Sequence, residues 1–307
     1  MTIVFKYGNV TVTEFGLGLD TQTRGFVQVP VDNNVQAALL DMVCETQKAM
    51  QNITEVPEEY QPSEKYAAIE YLTLSLEEDL VAELKALHEV NNLPEDPDAF
   101  DQINECFAYF AKIIDDDGNR ITAVRRSSQF KALIKKRNKL IRCVDNTLKI
   151  LDDTVFKLDN DFDFLIQNNV IYILRPSGLE FTAQLQGAVM AAVPSNIAAI
   201  AEEIEFVDFN SISDYAQQHP RAARYIASIK SQSEAHNINK EKLTSFCQRT
   251  GVTVTEIDGK LQIDDSEVMG FLEILDRRRY EIDLVEDADP EIYRAPSRSR
   301  VGGEAQN

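Results

Sequence analysis

The sequence has few of the residues from which proteins build metal centres, disulfide frameworks and catalytic triads. Its 307 residues include four cysteines, three histidines and no tryptophan. The cysteines form no CxxC pair, and the histidines lack the spacing of zinc ligands or of a Ser-His-Asp triad. Glycine-rich phosphate loops, GxSxG elbows and HExxH helices are absent from the sequence too. We therefore expect no cofactor, no metal and no enzymatic activity of these kinds.

Long apolar runs and an excess of positive charge are also missing. The longest apolar candidate, residues 187–204, is interrupted by Pro194 and Asn196 and falls short of the roughly 20 apolar residues that span a bilayer. The first residues show no signal-peptide pattern, so we expect a soluble, cytoplasmic protein. A formal net charge of −20 repels nucleic acid at long range, and any DNA contact would need a local basic patch.

The composition, 44% hydrophobic and 27% charged, is that of a globular protein with a sizeable core. Strand-like alternation occurs near the start, a capped helix is predicted from Asp32 to about Lys48, and short apolar pieces between 139 and 174 predict an antiparallel β-meander. Helical patterns dominate after Ser195. The predicted fold class is α+β, with an α+β body (1–178), a mainly helical part (179–286) and a flexible tail (287–307).

One segment, residues 120–149, is strongly basic. It holds ten cations against the single acid Asp145, a net charge of +9, so that the rest of the chain carries −29. The cations are Arg120, Arg125, Arg126, Lys131, Lys135, Lys136, Arg137, Lys139, Arg142 and Lys149. A charge run is usually a solvated face, but this one lies in an otherwise acidic chain.

The basic segment predicts a ridge that faces phosphates. If residues 129–142 form one helix, four cations share a face; if the helix ends near Arg137 and a strand starts near Lys139, residues 135–139 form a basic corner. Either geometry suits the DNA backbone and predicts no base readout. The predicted DNA contacts are Arg125, Arg126, Lys131, Lys135, Lys136, Arg137, Lys139 and Arg142.

Two alternatives stay open at this point. Asp161 and Asp163, near the end of a predicted strand, are a possible magnesium site for phosphodiester cleavage, although the following strand lacks the Glu-x-Lys that restriction-type nucleases carry. A turn explains the same aspartates more simply. The other alternative is a structural adaptor in which the basic ridge grips an acidic partner or the chain's own acidic surface.

Three stretches together form a recognisable pattern: the run Lys-Lys-Arg-Asn-Lys-Leu-Ile-Arg-Cys-Val-Asp-Asn-Thr-Leu-Lys-Ile (135–150), the predicted strands of 162–174 with Glu180 and Phe181, and the ending 266–280, a predicted helix that leads into Asp-Arg-Arg-Arg-Tyr. This pattern resembles the KwaB family of the two-component Kiwa anti-phage defence system. The similarity covers roughly residues 125–280. It implies a cytoplasmic homodimer that joins the small membrane protein KwaA at the inner membrane and binds phage DNA to impede its replication or expression. It implies no catalytic residues.

Overall fold

The computed structural model describes residues 11–53, 56–96, 98–115, 118–127, 141–144, 147–150, 156–232, 237–284 and 290–295. They divide into two compact units, the first from 1–60 and 66–185 and the second from 61–65 and 186–307. The boundary between the units follows Leu185, whereas the sequence predicts a boundary after residue 178. The difference arises because helix α3 (Pro176–Thr182) buries Leu179 in a core of the first unit.

The first unit is built on a large, mostly antiparallel sheet. Its strands are β1 (Thr11–Asp20), β2 (Arg24–Gln28), β3 (Glu58–Glu59), β4 (Leu72–Ser75), β5 (Cys106–Ile114), β6 (Arg120–Arg126), β9 (Phe164–Gln167) and β10 (Val170–Ile173). They lie in the order β2-β1-β5-β6-β9-β10-β4-β3, in which only β3 and β4 are parallel. Strands β7 (Ile141–Val144) and β8 (Thr147–Ile150) form a separate two-stranded hairpin.

Both faces of the large sheet are covered, because alternate residues of its strands enter two different cores. On β5, Tyr109 and Ala111 belong to one core and Phe110 to the other, as the two-residue repeat of a strand requires. Helix α1 (Asn33–Ile53) covers the first face with Leu39 and Val43. Helices α2 (Ala82–Glu89) and α3 cover the second face.

The second unit is mainly helical. Its helices are α4 (Gln186–Ala191), α5 (Val193–Glu203), α6 (Asn210–Ala216), α7 (Pro220–Lys230), α8 (Lys240–Arg249) and α9 (Asp265–Leu275). Helix α7 is central: Ala222, Ala223, Ile226 and Ile229 are buried, and it packs against α4, α5, α6 and α9. Two hairpins complete the unit, β11 (Thr255–Ile257) with β12 (Lys260–Gln262) and β13 (Arg279–Ile282) with β14 (Glu291–Arg294).

The predicted α+β class is confirmed, while some details of the strands differ. The pieces between 139 and 174 do not form one meander, since β7–β8 and β9–β10 belong to different sheets. Residues 156–158, which lie within the stretch predicted as a meander, form no strand. Within the predicted tail, Glu291–Arg294 forms β14, which pairs with β13.

Candidate nucleic-acid interface

The basic segment begins on a strand of the large sheet and continues into the separate hairpin. Arg120, Arg125 and Arg126 belong to β6, and the backbone register pairs Arg142 of β7 with Lys149 of β8. Five predicted contacts lie outside the described residues: Lys131, Lys135, Lys136, Arg137 and Lys139. The basic segment therefore leaves the large sheet at the end of β6 (Arg126), and the chain rejoins this sheet at the start of β9 (Phe164).

Arg125, next to the last residue of β6, lies in a cluster with three aspartates. Its Nη1 is 2.8 Å from Asp163 Oδ1 and 3.2 Å from Asp161 Oδ1. Its Nε is 3.3 Å from Asp159 Oδ2. Burial alone would lower the pKa of this guanidinium, but the three carboxylates raise it above its ordinary value. The charge of Arg125 is therefore directed into the protein, and a contact of this residue with DNA stays a prediction.

Asp163 is the most buried member of this aspartate cluster (Asp159, Asp161 and Asp163), with its side chain 4% exposed. Its Oδ2 accepts the backbone N–H of Arg126 at 2.8 Å, and its backbone carbonyl accepts the N–H groups of Leu174 and Arg175. A Cβ on Gly178 of α3 would overlap the carboxylate, so only glycine leaves it room. Burial raises the pKa of Asp163 above its usual value although Arg125 opposes this shift.

Asp159 and Asp161 connect the stretch that precedes β9 to neighbouring elements of the first unit. The Tyr109 hydroxyl donates to Asp159 Oδ2 at 3.2 Å and accepts the backbone N–H of Asp159 at 3.0 Å. Burial works against ionisation of Asp159, but hydrogen bonding from Lys157 and the charge of Arg125 hold its pKa below the usual value. Arg175 Nη2 donates to Asp161 Oδ2 at 2.7 Å. Residues 125–126, near the start of the basic segment, and residues 159–163, beyond its end, are therefore held side by side.

Arg126 differs from Arg125 in that it is exposed. Its guanidinium carbon lies 3.8 Å above the ring centroid of Phe181, a cation–π contact that uses the flat face of the group. The N–H groups at the edge of a guanidinium held in this way can donate to a phosphate oxygen. Of the two described arginines at this end of β6, Arg126 is the one placed for an external contact.

The arrangement also bears on the predicted magnesium site. Asp161 and Asp163 accept hydrogen bonds from arginines, which supply the positive charge that a divalent cation would supply. Among the described residues, no group of three or more His, Cys, Asp or Glu side chains is placed to hold a metal ion. The nuclease stays an untested alternative to the predicted non-enzymatic function.

The sequence reasoning missed that Arg125 and the aspartates are partners. A signal was present, because Arg125 directly follows the strand-like stretch Ile-Thr-Ala-Val (121–124), whose residues are all buried. A charge at the end of such a strand calls for a nearby counter-charge. The partner itself lies 34 to 38 residues away in sequence and is not identified by local patterns.

The comparisons with known proteins give one match. A family model described as "Kiwa protein KwaB-like" matches residues 105–284. The chain belongs to the KwaB-like family. Comparison with curated proteins and with solved structures found no match.

Membership makes this KwaB-like chain a component of the Kiwa anti-phage defence system. The matched residues run from the start of β5 to just beyond β13, and so include the basic segment, the aspartate cluster and the helices of the second unit. In the part of the chain that the structure describes, no helix combines the length and the apolar character needed to cross a membrane.

Proposed function

We propose that this KwaB-like protein binds phage DNA through residues 120–149, without catalysis, and thereby impedes replication or expression of the phage genome. The observation that carries the proposal is the charge of the segment, ten cations against one acid in a chain of net charge −20. Backbone phosphates are bound by placed Lys and Arg side chains with no need for a base-reading element.

The anchoring of the segment supports the proposal. Contacts of the aspartate cluster with Arg125, Arg126 and Tyr109 hold residues 125–126, near the start of the segment, and residues 159–163, beyond its end, against β5 and β6. A binding segment held near both ends loses less conformational entropy on binding than one on a free tail. The acidic remainder of the chain then opposes indiscriminate binding, so that several phosphates must be engaged at once. Neutralising distant acids should accordingly tighten binding to duplexes of any sequence.

The proposal includes the partners that the family implies. The protein acts as a homodimer in the cytoplasm and is recruited to the inner membrane by the membrane protein KwaA. Light scattering at two protein concentrations tests the homodimer. Co-purification of the two proteins from detergent-solubilised membranes tests the recruitment, and a chain that stays in the soluble fraction when KwaA is present would contradict it.

A charge-reversal experiment tests the DNA site. The triple variant Lys135→Glu, Lys136→Glu and Arg137→Glu should weaken binding to a duplex about a hundredfold at fixed salt, on the order of 1 kcal/mol for each phosphate that the variant no longer binds. The matched control reverses Lys48, Lys242 and Lys260, which changes the net charge equally at sites remote from the segment in sequence. Equal affinities of the two triple variants would refute the proposed site.

A plasmid incubation separates this proposal from the nuclease alternative. The full chain is incubated with supercoiled plasmid and either magnesium or manganese. A protein that binds DNA without catalysis should leave the plasmid intact. Nicking that disappears in Asp161→Asn would favour the nuclease and contradict a non-enzymatic role.

A further inference from the structure

The hairpin of β13 and β14 has two unlike faces. The register pairs Arg279 with Arg294 and Tyr280 with Tyr293, so the arginines share one face and the tyrosines the other. Arg279 Nε lies 3.2 Å from Glu273 Oε2 of α9, and Arg294 also pairs with Glu273. Because Glu273 is only 2% exposed, this inner face is anchored on the helical core of the second unit.

The outer face is aromatic and open to solvent. The rings of Tyr280 and Tyr293 stack with centroids 5.8 Å apart and an interplanar angle of 22°. They are 43% and 41% exposed, and Leu284, just after β13, is 86% exposed. A two-stranded hairpin has little core of its own, and exposed aromatic and aliphatic side chains on such an element are typical of an interaction site.

The exposed charge beside the tyrosines is negative. The Tyr293 hydroxyl donates to Glu291 Oε2 at 2.5 Å, Glu291 is exposed, and Asp283, the first residue after β13, is exposed too. Among residues 279–284 and 290–295, the two cations are Arg279 and Arg294, which are directed toward Glu273. Stacked tyrosine faces attract guanidinium and ammonium groups, and a neighbouring carboxylate adds a charged hydrogen bond.

We propose that the outer face of this hairpin docks a basic amphipathic segment of a partner protein. Lys or Arg side chains of that segment lie over Tyr280 and Tyr293 and pair with Glu291, and its apolar side chains cover Leu284. Charge complementarity selects this occupant over an acidic peptide or a phosphodiester strand, both of which Glu291 and Asp283 repel. The inference goes beyond the proposed function, which assigns DNA to a different segment of the chain.

The test uses the full chain and fluorescently labelled synthetic peptides. One peptide is an amphipathic sequence of Lys, Arg, Leu and Phe, and its counterpart has Glu in place of each Lys and Arg. Anisotropy titrations should show binding of the basic peptide, at least about tenfold weaker binding in Glu291→Lys, and no binding of the acidic peptide. Glu202→Lys, which makes the same charge change at an exposed position of helix α5, is the matched control and should bind as the wild type does.

The aromatic contribution needs a variant of its own. Tyr280→Ser with Tyr293→Ser should weaken the basic peptide by about tenfold or more, whereas Ile257→Ser, at an exposed position of the other hairpin, should not. If the double variant disrupts the hairpin, Glu291→Lys still decides the question. Unchanged affinity in Glu291→Lys would overturn the proposal, as would binding of the acidic peptide with an affinity equal to that of the basic peptide.

Binding of duplex DNA is measured in the same proteins. If Glu291→Lys loses peptide binding and keeps duplex binding, the substitution affects the proposed docking face and not the DNA site. Loss of duplex binding in the 135–137 triple variant with peptide binding intact shows that the two sites are separate. Concentration-dependent self-association that Glu291→Lys abolishes, without any peptide binding, would identify a second copy of the chain as the occupant and contradict the proposal.

Discussion

Replacing Arg125 by methionine removes the guanidinium that the aspartate cluster surrounds while keeping much of its aliphatic volume. Breaking a buried ion pair from one side costs about 3–5 kcal/mol. Here the loss should be smaller, about 2–3 kcal/mol, because the carboxylates keep other donors. Asp163 keeps the Arg126 N–H, and Asp161 keeps Arg175.

Unfolding of the two units need not coincide, so the measurement is local. Amide hydrogen exchange of β6 and β9 should accelerate in Arg125→Met, and the exchange rates give the free energy of opening of these strands. Arg126→Met, at the exposed neighbouring position, is the matched control and should change stability by less than about 0.5 kcal/mol.

The pH dependence provides a second signature of the same variant. Burial already raises the pKa of Asp163, and removal of Arg125 leaves this shift less opposed. An acid whose pKa is higher in the folded than in the unfolded state binds more protons when folded, so stability rises as the pH falls toward the unfolded value of about 3.9. The stability difference between wild type and Arg125→Met should therefore shrink on acidification.

One pair of results would refute this reasoning. If Arg125→Met left stability within about 0.5 kcal/mol of wild type and lowered the salt dependence of DNA binding by the equivalent of about one phosphate, Arg125 would be a DNA ligand and not an anchor. Persistence of the full stability difference at low pH would also contradict the assignment of the effect to buried carboxylates.

Two further predictions concern the first unit. Gly178→Ala should destabilise this unit by about 1–3 kcal/mol, because the new Cβ overlaps Asp163. The control Gly187→Ala, where a Cβ meets nothing within 4 Å, should leave stability unchanged. Equal thermal midpoints of the two variants would count against the close contact. His88 Nδ1 lies 2.8 Å from Thr122 Oγ1, and burial, followed by neighbouring cations, lowers the pKa of His88. The unfolded chain therefore binds this proton more readily, and stability should fall as the pH drops below about 6.5. In His88→Asn the plot of stability against pH should be flatter, and an unchanged slope in denaturant titrations would contradict this assignment.

Local sequence patterns are sufficient where the cause of an element is local. Asp32 accepts the N–H of Val35 at 2.8 Å and begins α1 as expected. Pro220 occupies the first turn of α7, where its missing N–H costs nothing. The Asp258-Gly259 turn joins β11 to β12 with φ of +52° and +82°.

The elements that the sequence did not predict depend on contacts between distant residues. Strand β14 looked like a polar tail because its order comes from pairing with β13 and from Arg294 binding Glu273 of another element. The aspartate run looked like a turn or a metal site because its cationic partner, Arg125, lies on a different strand. Charge patterns located the basic segment but could not distinguish an anchoring arginine from a ligand-binding one.

The salt dependence of duplex binding tests the central claim most directly. Each bound phosphate contributes about −0.9 to the slope of log affinity against log salt concentration. Measured between about 50 and 200 mM salt, the slope of the 135–137 triple variant should be shallower than that of wild type by about 3, and the slope of the Lys48, Lys242 and Lys260 control should match wild type. Equal slopes for the two triple variants would show that DNA does not bind at the basic segment.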